Sequence, residues 1–325
     1  MSADLISDVL RAVRLDGAYF YKVEAWEPWW VESSAARRGL PCALPQSEHL
    51  IPYHVLVEGR CWGGLVGQPP VELRAGDVIV FPGGAEHAMS SSPDFASPVE
   101  LVRVPSEQPV PFALRMGGAG PDRALLVCGF LACDRRPFNP LLAALPEQLV
   151  VHGELDGWLA SFARHALGAA GANRFGGDLV LTRLAELMFV DVVLRHAASL
   201  PAERTGWLAA VRDEVVGRAL ALLHERPAHA WSLDELALGA ATSRSVLAER
   251  FARLIGEPPM QYLTRWRMQL ATHRLASSAA KVAAVAREVG YESEAAFSRA
   301  FKREVGVAPA VWRERKLPAT LREPG

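Results

Sequence analysis

From residue 18 to about residue 151, short apolar runs alternate with Gly/Pro clusters, as in YHVLVEG, GGLVGQPPVELRAGDVIVFPGGAEH, VELVRVPSEQPVPF and ALLVCGFLAC. Runs of this length, bounded by turn formers, predict a many-stranded antiparallel barrel or sandwich. Residues 1–15 space their apolar positions differently and predict a short amphipathic helix. Strand signals stop after residue 155, where residues 157–167 and 178–196 read as helices. The second of these is apolar on nearly every face, through Leu179, Val180, Leu181, Leu184, Leu187, Met188, Phe189, Val192, Val193 and Leu194. Such a helix needs cover on every side. Two arrangements stay open for it: a self-association surface, or packing between two domains. Residues 198–206 (ASLPAERTG) read as a linker.

The last third carries one pattern twice. Residues 232–254 read SLDELALGAATSRSVLAERFARL and residues 281–305 read KVAAVAREVGYESEAAFSRAFKREV. Each predicts a short helix, a turn containing Gly239 or Gly290, and a longer helix opened by Ser243 or Ser293 as N-cap. Leu247, Phe251 and Leu254 in the first, and Phe297, Phe301 and Val305 in the second, recur at the spacing of a buried helical face. Helix, tight turn and helix of this size is the helix-turn-helix unit, whose second helix enters the major groove of DNA. Between the repeats, PMQYLTRWRMQLATHRL predicts one continuous helix of about 25 Å. That length suits two reading helices held near one DNA turn apart, about 34 Å.

Outward positions follow from the same period: Arg244, Ser245, Ala248 and Glu249 on the first long helix, and Glu294, Ala295, Ser298 and Arg299 on the second. Arginine is the commonest reader of guanine, so Arg244 and Arg299 lead as base readers. Ala248 and Ala295 offer only methyl contacts. Glu249 and Glu294 either accept from cytosine or are helix-surface charges. Arg265, Arg267, Lys302 and Arg303 either bind phosphates or are solvated.

Residues 215–315 resemble the DNA-binding domain of AraC/XylS-type regulators. The strings that carry the resemblance are WSLDEL, SRSVLAERF, GEPPMQYLTRWRMQLA and VGYESEAAFSRAFKREVGVAPAVWR. The resemblance implies that the outward residues just named face bases or phosphates. One departure is Ala240, Ala241 and Thr242, which stand where the family usually has a residue such as Gly in the first turn.

Charge distribution fits this picture. From residue 241 on, 15 of the 35 Lys and Arg residues meet only 8 of the 36 Asp and Glu, although the whole chain carries a net charge of −1. A basic end on an acidic body suits a polyanion partner. No apolar stretch approaches a membrane span, and the first residues lack the pattern of a signal peptide. A cytoplasmic location is therefore expected, with no membrane partner and reduced thiols at Cys42, Cys61, Cys128 and Cys133. Cys128 and Cys133, five apart on one strand, point to opposite faces and make a poor chelate or disulfide. Cys61 and Cys128 read as buried small residues.

In the strand-rich region, residues 76–87 (GDVIVFPGGAEH) fit the second cupin motif, G-x5-P-x-G-x2-H, ending on His87. The first motif is degraded. His54 and Glu58 keep its H-x3-E spacing, Pro52 takes the place of its other histidine, and His49 lies five residues away on the opposite strand face. Four residues apart on a regular strand, His54 and Glu58 share a face and can converge with His87 at a barrel mouth. They either hold a divalent metal as a two-His, one-carboxylate set, or line an effector pocket with no metal. The region resembles the cupin-type sensor domain of some AraC-type regulators.

The expected architecture is α+β: a cupin-like antiparallel β-barrel that senses an effector (residues 1–151), connecting or dimerisation helices (152–206), and an all-α DNA-binding domain with two helix-turn-helix units (207–325). The expected function is a sequence-specific transcription regulator, an effector-responsive activator. Its expected partners are double-stranded DNA, a small-molecule effector, RNA polymerase and a second copy of the chain. The alternative is a metal-dependent cupin enzyme with an appended DNA-binding module. The sequence holds no nucleophile–base motif or phosphate loop, and no cofactor beyond the metal just weighed is expected.

Overall fold

The computed structural model describes residues 15–33, 49–94, 112–133, 138–153, 157–169, 177–201 and 205–316. The helix expected over residues 1–15 and Cys42 lie outside the described residues, apart from Leu15, which opens a strand. The chain forms two compact units. A sheet unit comprises Arg14–Asp134 and Leu145–Ser199; a helical unit comprises Met1–Val13, Arg135–Ala144 and Leu200–Gly325.

In the sheet unit the strands are β1 (Leu15–Trp26), β2 (Trp30–Ser33), β3 (His49–Glu58), β4 (Arg60–Leu65), β5 (Val71–Arg74), β6 (Val78–Val80), β7 (His87–Ser90), β8 (Phe112–Gly117), β9 (Arg123–Cys133) and β10 (Leu149–Val151). They form a six-stranded sheet, β10-β6-β3-β9-β1-β8, and a four-stranded sheet, β2-β7-β4-β5. Pairing is antiparallel except between β1 and β8, which run parallel. Alternate residues build one shared core, with Val23, Leu56 and Leu126 from the larger sheet and Cys61, Leu73 and Met89 from the smaller. Burial of this apolar surface is the main force holding the strands together.

Two of the helices lie in this unit. One runs Trp158–Ala169 and the next, longer one runs Gly177–Ser199; after the short helix α1 (Pro140–Ala144) they are α2 and α3. On α3, Ala185, Met188, Phe189, Val192 and Val193 are buried, and the helix packs against β1 and β10. Its other apolar stripe is open: Val180, Leu187 and Leu194 are 47%, 56% and 44% exposed. The all-round apolar pattern thus divides into one covered face and one bare face.

The helical unit contains α1 together with α4 (Trp207–Arg212), α5 (Glu214–Glu225), α6 (Leu233–Gly239), α7 (Arg244–Ile255), α8 (Pro259–Ser277), α9 (Val282–Glu288), α10 (Glu294–Val305) and α11 (Pro309–Lys316). Pro259 opens α8, where its missing N–H is harmless. Asn139 caps α1 through Oδ1, which accepts from the Leu142 N–H at 2.9 Å. Just before it, Phe138 is held on α8. Its N–H donates to Gln269 Oε1 at 3.1 Å, its ring meets Tyr262 edge-on, and the Arg265 guanidinium lies 4.0 Å over it. The buried Tyr262 hydroxyl accepts from Trp207 Nε1 at 2.9 Å and donates to His224 Nε2 at 2.8 Å. Burial pushes His224 down to about 3 and keeps its ring neutral.

Candidate nucleic-acid interface

The repeated pattern folds as two helix-turn-helix units, α6–α7 and α9–α10. The hydroxyl oxygens of Ser243 and Ser293 accept from the N–H groups of Val246 and Ala296, capping α7 and α10. Both helices end on a glycine in the left-handed region, Gly256 and Gly306. Leu247 and Phe251 on α7, and Phe297 and Phe301 on α10, are fully buried, so the opposite face of each helix must look outward.

The two turns close in the same way. The N–H of Thr242 donates to Ala237 O at 3.0 Å, and that of Tyr291 to Ala286 O at 2.9 Å. The residue before each has positive φ: Ala241 at 55° and Gly290 at 87°. The departure from the usual turn sequence therefore leaves the geometry intact, with an alanine held in the left-handed region.

Arg244, Ser245, Glu249, Glu294, Ala295 and Arg299 are exposed, and Ala248 and Ser298 are partly so. Their ionic settings differ. Arg244 Nη1 lies 3.2 Å from Asp234 Oδ2 on α6, in a surface pair worth little to stability. Arg299, Glu249 and Glu294 form no ion pair among the described residues, so the Arg299 guanidinium keeps its planar fork available. Lys302 and Arg303 are exposed near the end of α10.

The other two arginines weighed as phosphate binders are engaged inside the fold. Arg265 donates to Glu257 Oε1 at 3.0 Å besides covering Phe138. Arg267 is half-buried and directs its guanidinium at backbone carbonyls: Nε to Pro227 O at 2.6 Å, Nη2 to His229 O at 2.8 Å and Nη1 to Gly290 O at 3.4 Å. Nothing in the periodicity of the helix flags an arginine spent on carbonyls of distant loops.

In the sheet unit, His54 and His87 come together and Glu58 does not. His87 Nδ1 donates to Ala85 O at 2.9 Å, so its Nε2 accepts from His54 Nε2–H, also at 2.9 Å. The Phe81 ring stacks on His87 at 3.9 Å. Burial lowers the pKa of His54 and pushes His87 down to about 4, so both rings are neutral near pH 7. The pair lies inside the core rather than at an open rim.

Glu58 leaves this group because β3 bulges. His54 pairs with Cys128 and Leu56 with Leu126, but Glu58 then pairs with Leu125 instead of residue 124. One extra residue reverses the alternation and sends Glu58 to the other face. There it forms an ion pair with Arg123 and is half exposed. The two-His, one-carboxylate set therefore does not assemble, and among the described residues no three His, Cys, Asp or Glu side chains group as metal ligands. His49 lies on the face away from His54 and hydrogen-bonds Pro82 O at 2.6 Å. Cys61, Cys128 and Cys133 are buried, and burial raises the thiol pKa of Cys61 and Cys128, keeping them protonated.

Comparison with known proteins adds a family to this geometry. Residues 4–198 match the family model described as Cupin, and residues 236–315 match the one described as Helix-turn-helix domain. A protein of Streptomyces antibioticus bearing the name AraC-like transcription regulator is 34% identical over 83% of this chain and 88% of its own length. A second of the same name, from Streptomyces lividans, is 32% identical over 96% of this chain and 98% of its own. The solved DNA-binding domain of AdpA in complex with a target DNA is 29% identical and covers 32% of this chain and 93% of that one, with a TM-score of 0.31.

Proposed function

The chain belongs to the AraC-like transcription regulators, with a cupin domain followed by a helix-turn-helix domain, and on that footing we propose how it reads DNA and what its cupin domain does. It is a DNA-binding regulator of transcription, as its relatives are. The enzyme alternative gains no support from them.

We propose that α7 and α10 enter successive major grooves of double-stranded DNA. Arg244, Ser245, Ala248 and Glu249 read one site, and Glu294, Ala295, Ser298 and Arg299 the other. The observation that carries this reading is the pair of capped helices, each buried on one face and bare on the other, with the unpaired Arg299 guanidinium on the second. The experiment is selection of duplexes from a random pool by the purified full chain. Arg299→Ala is expected to weaken binding by about 1–3 kcal/mol and to relax preference at one base pair. An unchanged preference profile rejects direct readout by Arg299.

The cupin domain is the effector sensor in this reading, and the neutral His54–His87 pair is its polar centre. Buried polar groups need partners, and His54 Nδ1 has none among the described residues. A small ligand supplying a hydrogen-bond donor would satisfy it. His87→Ala is expected to abolish the response of a reporter to its inducing condition while leaving operator binding intact. A mutant that responds like the parent moves the effector site elsewhere. The protein acts in the cytoplasm as an activator touching RNA polymerase, and it works as a homodimer.

The dimer rests on the bare stripe of α3. Val180, Leu187 and Leu194 are seven residues apart, the spacing of a coiled-coil seam. An antiparallel pair of α3 helices centred on Leu187 sets Val180 against the partner's Leu194, and Arg183 against the partner's Asp191. The stripe thus faces itself across a twofold axis, flanked by Arg183 and Asp191, which within the chain pair with Glu186 and Arg195.

A further inference from the structure

We propose that Arg267 is the positioning residue that fixes the angle between the two DNA-reading units. The inference rests on the reading that α7 and α10 both enter DNA, and it deepens that reading by naming what sets their relative placement.

Within the helical unit, α8 is the element that both readers share. From the first unit α7 packs against it, and from the second α9 and α10 do, with α11 beside them. A single helix fixes distance well, but packing against it through side chains leaves roll about its axis less constrained. Arg267, near the middle of α8, supplies a second attachment. Its three hydrogen bonds reach Pro227 and His229 in the loop entering the first unit, and Gly290 in the turn of the second. Its guanidinium also lies 5.8 Å from the Tyr291 ring centroid. One planar fork thus joins two loops that are far apart in sequence, a geometry that a lysine ammonium cannot reproduce.

Both ends of this brace are stiff. The loop before α6 is tied to itself by Trp231 Nε1 donating to Arg226 O at 3.1 Å and by Arg226 over the Trp231 ring at 4.6 Å, and to α6 by His229 with Glu235 at 2.7 Å. The turn of the second unit lies directly against that loop: a Cβ on Gly290 would fall 2.5 Å from Ala228 O. The first unit's entry loop and the second unit's turn are therefore in backbone contact, with Arg267 holding them together. Arg250 Nε, by contrast, donates to Asp213 Oδ2 at 2.9 Å and ties α7 to the start of α5, with no reach to the second unit.

The consequence is a sharp preference for one spacing between the two base-reading sites. Inserting one base pair rotates the second site by roughly 34° and moves it by roughly 3.4 Å. A rigid reader tolerates that badly; a hinged one follows it.

The test uses the full chain and duplexes recovered from a random pool, rebuilt with one base pair inserted or removed between the two sites, plus a duplex keeping one site only. Parent, Arg267→Lys and Arg267→Gln are compared, with helicity checked by circular dichroism. The parent is expected to lose about tenfold or more in affinity on changed spacing, the variants less than about threefold, and one-site affinity should stay within about twofold for all three. Parent-like spacing dependence in both folded variants overturns the proposal. Equal losses on one-site and two-site duplexes also overturn it, since that is the mark of a merely structural role. A parent indifferent to spacing, and to loss of either site, overturns the two-groove reading and the brace with it.

Discussion

Gly290→Ala is expected to lower the stability of the helical unit by about 2–4 kcal/mol, from left-handed strain and steric overlap together. The glycine has φ of 87°, and an added methyl would meet Ala228 O at 2.5 Å and Ala228 Cα at 2.8 Å. Both obstacles are backbone atoms, so no side-chain rotation can relieve them. The equivalent step of the first turn predicts the opposite sign. Ala241 has φ of 55° and is exposed, so its Cβ only adds strain there. Ala241→Gly is expected to gain about 0.5–1 kcal/mol, after the entropy of the new glycine is counted. Urea unfolding followed at 222 nm measures both. Two changes of the same sign would show that the turns are not equivalent in the way their hydrogen bonds suggest.

Leu187→Glu is expected to raise the dimer dissociation constant by about 100-fold or more, the loss of two buried leucine contacts across the twofold axis. The substitution also brings two like charges together on the axis, which deepens the loss. Because Leu187 is 56% exposed in the single chain, the fold should survive and the circular dichroism spectrum should not change. Sedimentation over a concentration series reads the constant. A variant that dimerises like the parent, or a parent that is monomeric throughout, removes α3 as the dimer interface. Arg183→Asp, which reverses one member of the proposed cross-pair, should be rescued in part by Asp191→Arg in the same chain.

The DNA-reading half was legible in the sequence because its signals are local. Ser243 and Ser293 announce helix starts, and the Leu247/Phe251 and Phe297/Phe301 spacings fix which face is buried. Outward residues follow from those by subtraction. The sheet half was less legible because strand parity is fragile. His54 and Glu58 satisfy the spacing rule for sharing a face, yet the bulge between Leu56 and Glu58 reverses it. No residue type marks that bulge. Arg267 was hidden for a different reason: a charged residue on a helix reads as solvent-facing, and its acceptors are carbonyls that no sequence pattern displays. On α3 the pattern demanded cover on all sides, yet the fold covers only the face of Met188, Phe189 and Val192 and leaves Val180, Leu187 and Leu194 exposed.

Phe138 and the Gln269 oxygen that holds its N–H are 131 residues apart along the chain. At a translation rate of roughly 5–20 residues per second, the ribosome needs roughly 7–26 s to make the second after the first. Throughout that interval the Phe138 ring and Leu141 are on a nascent chain whose α8 does not yet exist. β9 and β10, which flank the segment, are synthesised early, so the sheet unit can form around an unsettled insertion. The helical unit closes only after α8 has been made. A chain cut before Tyr262 lacks every partner that holds Phe138 on α8: the Tyr262 ring, the Arg265 guanidinium and the Gln269 oxygen.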